Sequence, residues 1–199
     1  MRKLYILLYN FLLIPHVLLY TMHQNKKIID VDLKRWATEK KINKSSITLL
    51  MTFLRQSPDF RTIFYYRTRG AIAHLLNIYC RKQTNFTIDI RTKIGGGILT
   101  GHPYCTILNA NSIGENFYVN HLVTVGEVNG KRPTIGNNVS IYTGAIVIGD
   151  ITIGDNCQIG AGAVVVKDVP NNAVVVGNPA KIVKLDGIKV NKSNTKKNV

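Results

Sequence analysis

Few side chains in this 199-residue chain can move protons or act as nucleophiles near neutral pH: there are five histidines and three cysteines. Histidine is the group whose ordinary pKa lets it take a proton from a hydroxyl and release it again. Position sorts the candidates. His74 falls on an apolar face at helical spacing, where a histidine reads as a core or interface residue. His16 interrupts an apolar run, whereas His102 and His121 lie in a later, glycine-punctuated stretch. Cys80, Cys105 and Cys157 are odd in number and 25 and 52 residues apart, which fits neither a zinc knuckle nor a disulfide framework. A reducing compartment is the default, and Cys157 stands where the repeat below wants a small, inert core residue.

The charge of the chain that must position these groups is unevenly placed. The 26 Lys+Arg against 11 Asp+Glu give +15, which invites a nucleic-acid partner. Residues 1–85 hold 15 basic and 4 acidic side chains (+11), residues 86–180 hold 5 and 6 (−1), and residues 181–199 hold 6 and 1 (+5). Glycine runs the other way, with 14 of 16 between positions 95 and 177. With a neutral middle and no aromatic platform or reading motif, nucleic acid is not expected as a partner. At 45% hydrophobic and 19% charged the chain can fill a core. Three segments follow: a basic, apolar helical region over 1–85, a repeat domain over 86–186, and a disordered basic tail over 187–199 without a periodic apolar face.

Residues 4–22 carry no charged side chain and follow Arg2 and Lys3, in the manner of a signal peptide or membrane span. No alanine precedes Ala37, so the usual small-residue cleavage site is missing, and Asn10, Pro15 and His16 interrupt a run that barely reaches the roughly 20 residues of a span. A packed helix or helix pair is the first reading, attachment to a membrane surface beside Lys26 and Lys27 the second, and a true span the third. Further on, Ser45 and Ser46 can cap a helix with the face Leu49, Leu50, Phe53 and Leu54. Ser57-Pro58-Asp59 ends it and starts a helix offering Phe60, Ile63, Phe64, Ile72, Leu75, Leu76 and Tyr79.

From Ile88 a period of six replaces helical spacing. Ile135, Ile141, Val147, Ile153, Ile159 and Val165 form an unbroken series, and Ile113, Val119 and Val125 extend it upstream. Glycine takes the second place in several blocks, and small or branched residues take the fifth. The fold expected is mainly β: a parallel β-helix in which each first residue points into a prism, glycine permits backbone conformations closed to other residues, and the fifth residue fits near a corner. An ordinary sheet would show period two and helical crossovers, which are absent. Two departures mark places where function can be inserted. Ten residues separate Val125 from Ile135, so four extra residues must loop out within 127–134, and the phase slips by one between Ile94 and Ile113, where His102 sits.

On these repeats, with Asp89-Ile90 opening them, KIGGGIL and TGH over 93–102, one interrupting loop and the closing GNPAKIV of 177–183, the sequence resembles the hexapeptide-repeat, left-handed β-helix acyltransferases. It is most similar to the branch of serine acetyltransferases and their relatives that acetylate sugars, over roughly half the chain (86–184). The resemblance implies a homotrimer, or a dimer of trimers, that binds acetyl-CoA as co-substrate in grooves between neighbouring prisms, with no metal. It places His102 on the family's catalytic base and Asp89 on its partner, which would hold the imidazole tautomer, and leaves a backbone N–H near Gly126 or Gly144 to stabilise the oxyanion. It further puts Ala145 and Ala163 along the pantetheine arm and Pro179 and Lys181 near the nucleotide. The glycine run at 95–97 is not a phosphate-cradling loop. His121 is the rival base or a substrate-binding residue.

The family's pattern also bears on the acceptor. The serine enzymes have an aspartate before the catalytic histidine, where this chain has Gly101, and a histidine before proline at the end of the loop, where it has Lys131-Arg132-Pro133. Both changes remove groups expected to hold an amino acid, so a saccharide hydroxyl, on a surface-polysaccharide or lipid-linked precursor, is preferred over serine, with Arg132 as a substrate-binding candidate. The location expected is cytoplasmic, with peripheral contact at the inner face of the membrane. A metal-dependent hydratase on the same fold would need three histidines where the repeats have two, and a catalytically dead scaffold is the remaining alternative.

Overall fold

In a computed structural model, residues 2–190 are described, with side chains from Leu4. They divide into two compact units, one running to Phe86 with Gly96–Leu99 added, the other comprising Thr87–Gly95 and the chain from Thr100 on.

The described part of the first unit has six helices: α1 (Arg2–Leu12), α2 (Ile14–Met22), α3 (Lys26–Glu39), α4 (Ser46–Gln56), α5 (Pro58–Thr68) and α6 (Ala71–Tyr79). α1 and α2 meet at 43°, next to Pro15, which cannot continue the helical hydrogen-bond ladder. Leu13, His16 and Tyr20 turn inward at spacings of three and four, while Leu8, Phe11, Leu18 and Met22 stay exposed. No single helix is long and apolar enough to cross a membrane, although the bent pair together has the length and composition of a span. The Ser45 hydroxyl caps α4 by accepting the Thr48 amide (3.5 Å), and Ser57 ends α4 just before Pro58 opens α5. The face expected over 60–79 is two helices rather than one, broken at Arg69 and Gly70. Phe60, Ile63, Phe64 and Leu76 are buried, but Ile72, Leu75, Tyr79 and His74 are exposed, so His74 is not a core residue.

Trp36, Phe53 and Phe60 form the aromatic centre of this unit, with ring centroids 5.6, 5.1 and 5.4 Å apart pairwise. Beside them the buried Asp32 accepts from Arg67 Nε (2.9 Å) and from the amides of Gly97 (2.7 Å) and Ile98 (3.1 Å), and Trp36 Nε1 donates to the Ile98 carbonyl (2.9 Å). Burial pushes the Asp32 carboxyl up, against the pull of Arg67 and the two amides. The glycine run at 95–97 therefore leads into a strap clamped by α3, and a side chain at Gly96 would meet Val31 Cγ1 at 2.9 Å.

The second unit is a parallel β-solenoid of about five turns that matches a left-handed β-helix. Its strands are β1 (Phe86–Ile88), β2 (Lys93–Ile94), β3 (Leu99–Gly101), β4 (Thr106–Leu108), β5 (Ser112–Ile113), β6 (Tyr118–Asn120), β7 (Thr124–Gly126), β8 (Thr134–Ile135), β9 (Ser140–Ile141), β10 (Ile146–Ile148), β11 (Thr152–Ile153), β12 (Gln158–Ile159), β13 (Val164–Val165), β14 (Ala173–Val176), β15 (Lys181–Leu185) and β16 (Ile188–Lys189). Every third strand up to β13 stacks on the same face, β1-β4-β7-β10-β13 on the first, β2-β5-β8-β11 on the second and β3-β6-β9-β12 on the third, and β14 completes the third face after a single bridge, Ile153 to Val169, on the second. The nine period-six residues from Ile113 to Val165 are all at most 2% exposed, each such burial worth about 1.5–3 kcal/mol. Fifth-place residues such as Val139, Ala145, Cys157 and Ala163 are fully buried at the corners. Cys157 Sγ lies 3.0 Å from the Pro170 carbonyl, and burial pushes its thiol up, as suits an inert packing residue. The phase slip resolves at Leu108, which pairs with Val125 and precedes Ile113 by five residues instead of six.

The second-place glycines are glycines for a different reason than the one expected. Gly114, Gly136 and Gly154 do not have positive φ; a side chain there would lie 2.6–2.9 Å from the backbone of the next coil. The left-handed conformation sits two residues later, on Asn116, Asn138, Asn156 and Asn172 (φ 56°, 55°, 59° and 58°), the type that tolerates it best after glycine. Their side chains form a ladder along the edge between the second and third faces. Each Nδ2 donates to the next Oδ1 at 3.2, 3.0 and 2.9 Å, and Asn172 donates to Asp186 at 2.8 Å. The solenoid ends in an antiparallel hairpin in which β16 pairs with β15, so regular structure runs past the boundary expected at 186. Of the expected tail, 191–199 lie outside the described residues.

Candidate active site

The three faces meet at three edges, and the predicted site residues divide between two of them. Where the third face turns into the first, successive coils contribute His102, His121, Gly144, Ala163 and finally Pro179, so most of the candidate positions fall on one edge. The turns stack through backbone bonds: Leu122 N–H donates to Tyr104 O (2.8 Å), Gly144 N–H to His121 O (3.1 Å) and Gly162 N–H to Thr143 O (2.9 Å). His102 follows β3 directly, is exposed, and has φ +54°, in a turn closed by Tyr104 N–H on its carbonyl (2.7 Å). Cys105 (φ +50°) and Leu122 (φ +58°) share this edge and this conformation. Three left-handed residues that are neither glycine nor asparagine mark a strained edge, the kind of feature that clusters at functional sites.

His121 is the more tightly oriented histidine. Asn120 Oδ1 accepts the His121 backbone amide at 2.9 Å and lies 2.9 Å from Nδ1. An oxygen that already accepts one N–H calls for a donor at Nδ1, so the neutral ring leaves Nε2 as the acceptor. Gly101 also has a local cause: a side chain there would collide with the Tyr118 hydroxyl, and the Tyr118 ring packs on Tyr142 at 6.0 Å. The space of the family's aspartate is thus taken by a phenol.

Asp89 is not beside His102. It follows β1, at the edge between the first and second faces, while His102 stands at the other end of the first face. Asp89 is held by Arg91, whose Nε and Nη2 donate at 3.1 and 3.3 Å and whose amide donates at 2.8 Å. Those Arg91 contacts hold its carboxyl below the usual range. The expected pairing is therefore absent within one protomer, because the β1–β3 turn assigns the two residues to different edges and Arg91 takes the carboxylate locally.

The interrupting loop is on the Asp89 edge, between β7 and β8. Val128 and Lys131 exchange backbone bonds (2.9 and 3.0 Å) across Asn129 and Gly130, both at positive φ, which makes a tight hairpin. Arg132, expected to bind substrate, turns back into the coil: Nη1 donates to the Ala110 carbonyl (3.4 Å) and Nε lies 4.0 Å from Glu127. Gly126 is on this edge too, its carbonyl accepting from Gly149 (3.3 Å), so it stands away from the histidines. Gly144 is on the right edge, but its amide is spent on His121.

Of the cofactor positions, Ala145 and Ala163 are fully buried at the corner, their amides donating to Tyr142 O (3.2 Å) and Gly160 O (3.1 Å). Pro179 and Lys181 do come together, in a cavity of about 260 Å³ with apolar walls from Val164, Val166 and Ile182 and with Lys167 beside them. Asp168 lines it too, its carboxylate accepting the Thr152 amide (2.7 Å), so two ammonium groups outnumber one carboxylate among apolar walls, a composition that suits a ligand ending in phosphates such as CoA. Among the described residues no group of three His, Cys, Asp or Glu could hold a metal.

Comparison with known proteins agrees with this architecture. Residues 132–167 match the family described as bacterial transferase hexapeptide (six repeats). Over 140 residues the chain is 36% identical to a serine acetyltransferase of Staphylococcus xylosus, covering 68% of this chain and 65% of that protein. It is 38% identical over 101 residues to the putative colanic acid biosynthesis acetyltransferase WcaB of Escherichia coli, covering 49% of this chain and 62% of that one. The solved serine acetyltransferase of Neisseria gonorrhoeae superposes with a TM-score of 0.63 at 30% identity, over 80% of this chain and 68% of that one. A serine acetyltransferase solved in complex with CoA shares the fold at 24% identity and a TM-score of 0.58. The chain belongs to the hexapeptide-repeat, left-handed β-helix acyltransferase family. It spans just under two thirds of the length of the Staphylococcus relative.

Proposed function

We propose that the chain is an O-acetyltransferase that moves the acetyl group of acetyl-CoA to a saccharide hydroxyl, working in the cytoplasm as a homotrimer. The observation that carries this reading is the composition of one edge: two histidines at one end and the lysine-flanked cavity of Pro179 and Lys181 at the other. The acceptor oxygen bonds to the acetyl carbonyl carbon as its proton passes to a histidine, and the resulting oxyanion collapses. The C–S bond then breaks, and CoA leaves as the thiol after taking up that proton. His102 is the base, and His121, with Nε2 open, accepts a hydrogen bond from an acceptor hydroxyl. Asp89 serves His102 only if it is supplied by a neighbouring protomer.

A saccharide is favoured by the phenol that fills the space beside Gly101, where the serine enzymes have an aspartate, and by the colanic acid biosynthesis assignment in the name of the Escherichia relative. Serine is the second reading, favoured by the names of the Staphylococcus and Neisseria relatives. Thiol release from acetyl-CoA, followed over serine and a saccharide panel, separates the two. His102→Ala is expected to abolish release in a folded trimer, and His121→Ala to raise the acceptor KM more than it lowers kcat. Full turnover by His102→Ala would remove that residue from the mechanism, and release on serine alone would establish the second reading.

A further inference from the structure

The first unit carries an apolar surface that acetyl transfer does not use. Thirteen large apolar side chains of α1, α2 and α6, including Leu7, Leu8, Phe11, Leu18, Leu75 and Ile78, are 45–84% exposed, a concentration that singly scattered surface apolar residues do not produce. The helices form one surface where Tyr79 OH donates to the Leu12 carbonyl (3.0 Å) and the Tyr79 ring meets His16 edge-on at 5.7 Å, both Leu12 and Tyr79 being about half exposed. α6 has no charged residue, and α1 and α2 have none beyond Lys3.

The exposed charge around this surface is mainly positive. Residues 1–29 and 60–88 contain nine Lys+Arg and no carboxylate, of which Arg67 is spent in the core on Asp32, while Asp30, Asp59 and Asp89 adjoin these segments. Lys27, Arg69, Arg81 and Lys82 are exposed just beyond the ends of α2 and α6. Lys26 differs, being paired with Asp30 (2.7 Å). A second copy seated symmetrically on this face would set such cations against their own kind, with no carboxylate in these segments to answer them. An apolar face rimmed by cations matches a bilayer with anionic headgroups. A spanning arrangement fits poorly, because α2 is held by its other side: His16 bonds Tyr65 OH at 2.8 Å, and Tyr20 OH donates to Asp30.

We propose that α1, α2 and α6 form a docking surface for an anionic lipid bilayer, the helices lying in the interface with their exposed side chains among the acyl chains. The inference rests on the first unit alone and stands or falls separately from the acetyltransferase reading. The test is co-sedimentation of the full chain with phosphatidylcholine vesicles, with and without about 30 mol% phosphatidylglycerol. The chain is expected to pellet with the anionic vesicles, and to pellet less at about 0.5 M salt, which screens the headgroup attraction but not the apolar insertion. Phe11→Glu and Leu75→Glu should each weaken binding at least about tenfold, with Trp36 fluorescence and thiol release unchanged. Failure of the parent chain to bind anionic vesicles, or equal binding by folded variants, would overturn the proposal. So would a large assembly of the parent chain that dissociates in both variants while vesicle binding is absent, which gives the face to a second copy.

Discussion

His16 provides a pH-dependent contribution to stability that can be isolated from the rest of the molecule. It is fully buried among Phe64, Tyr65 and Tyr79. Tyr65 OH donates to the Cys80 carbonyl (2.8 Å), so its oxygen accepts from His16 Nε2 (2.8 Å), and Nε2 carries the proton of the neutral ring. Nδ1 has no partner, and protonating it would place an unpaired N–H and a full charge inside an aromatic cage. Burial, helped by the nearby Arg61 cation, lowers the pKa from 6.5 to about 4. The folded-state value lies below the unfolded one, so the contribution is complete above pH 6.5 and is lost as the pH falls toward 4. Linkage puts the loss at about 2 kcal/mol by pH 5 and about 3 kcal/mol by pH 4, relative to pH 7. Trp36, the one tryptophan, is buried in the same unit and reports its unfolding in urea. His16→Gln keeps a polar side chain that does not titrate; it should lower stability at pH 7 and flatten the slope between pH 6.5 and 4. Carboxylates act alike in both proteins and cancel in the difference. Parallel stability curves for the two proteins across that range would refute the assignment of a buried neutral histidine.

Three other perturbations test the packing. Asn138→Ala removes two ladder bonds and leaves alanine in the left-handed region, so a loss of about 1–2 kcal/mol is expected in thermal melts, with Asn138→Gly recovering part of it. Leu122→Gly should stabilise the solenoid by up to about 1 kcal/mol, because it relieves φ +58° at a half-exposed site, and chemical denaturation would show the change. Arg67→Met strands the Asp32 carboxylate in the core and should cost about 3–5 kcal/mol by Trp36-monitored unfolding, whereas Arg67→Met combined with Asp32→Asn, which removes the charge and keeps an oxygen for the Gly97 and Ile98 amides, should cost less.

The solenoid was legible because one physical requirement repeats: each inward residue must fill the same prism, so Ile113 through Val165 display the period directly. The corners were not read, although the signal was present. The pairs Glu115-Asn116, Asn137-Asn138, Asp155-Asn156 and Asn171-Asn172 recur at the same place in successive coils, and an asparagine at a fixed offset after an inward residue points to a left-handed turn with a side-chain ladder. The Asp89–His102 pairing failed for a different reason. Separation along the chain does not say which edge each residue occupies; the faces taken by β1 and β3 do. Nor does sequence choose the buried side of α1 and α2, because a helix that is apolar all round has no pattern to choose by; Leu13, His16 and Tyr20 face inward because their packing partners are there.

A repeat meets the demands of its backbone in the same way at every turn, so a coil that solves the problem differently points to some other demand. On the edge between the second and third faces, the left-handed position holds asparagine in four successive coils after Gly97 in the first, a residue that fits the conformation and bonds to its neighbours. On the edge between the third and first faces, the same conformation is forced on His102, Cys105 and Leu122, residues that gain nothing from it locally and incur about 1–2 kcal/mol each. The asparagine solution was available to this sequence, since it is used four times one edge away. Its absence where the two histidines stand is best explained by side chains retained for what they contact outside the coil. That argument depends neither on the family pattern nor on the names of relatives, and it selects the same edge.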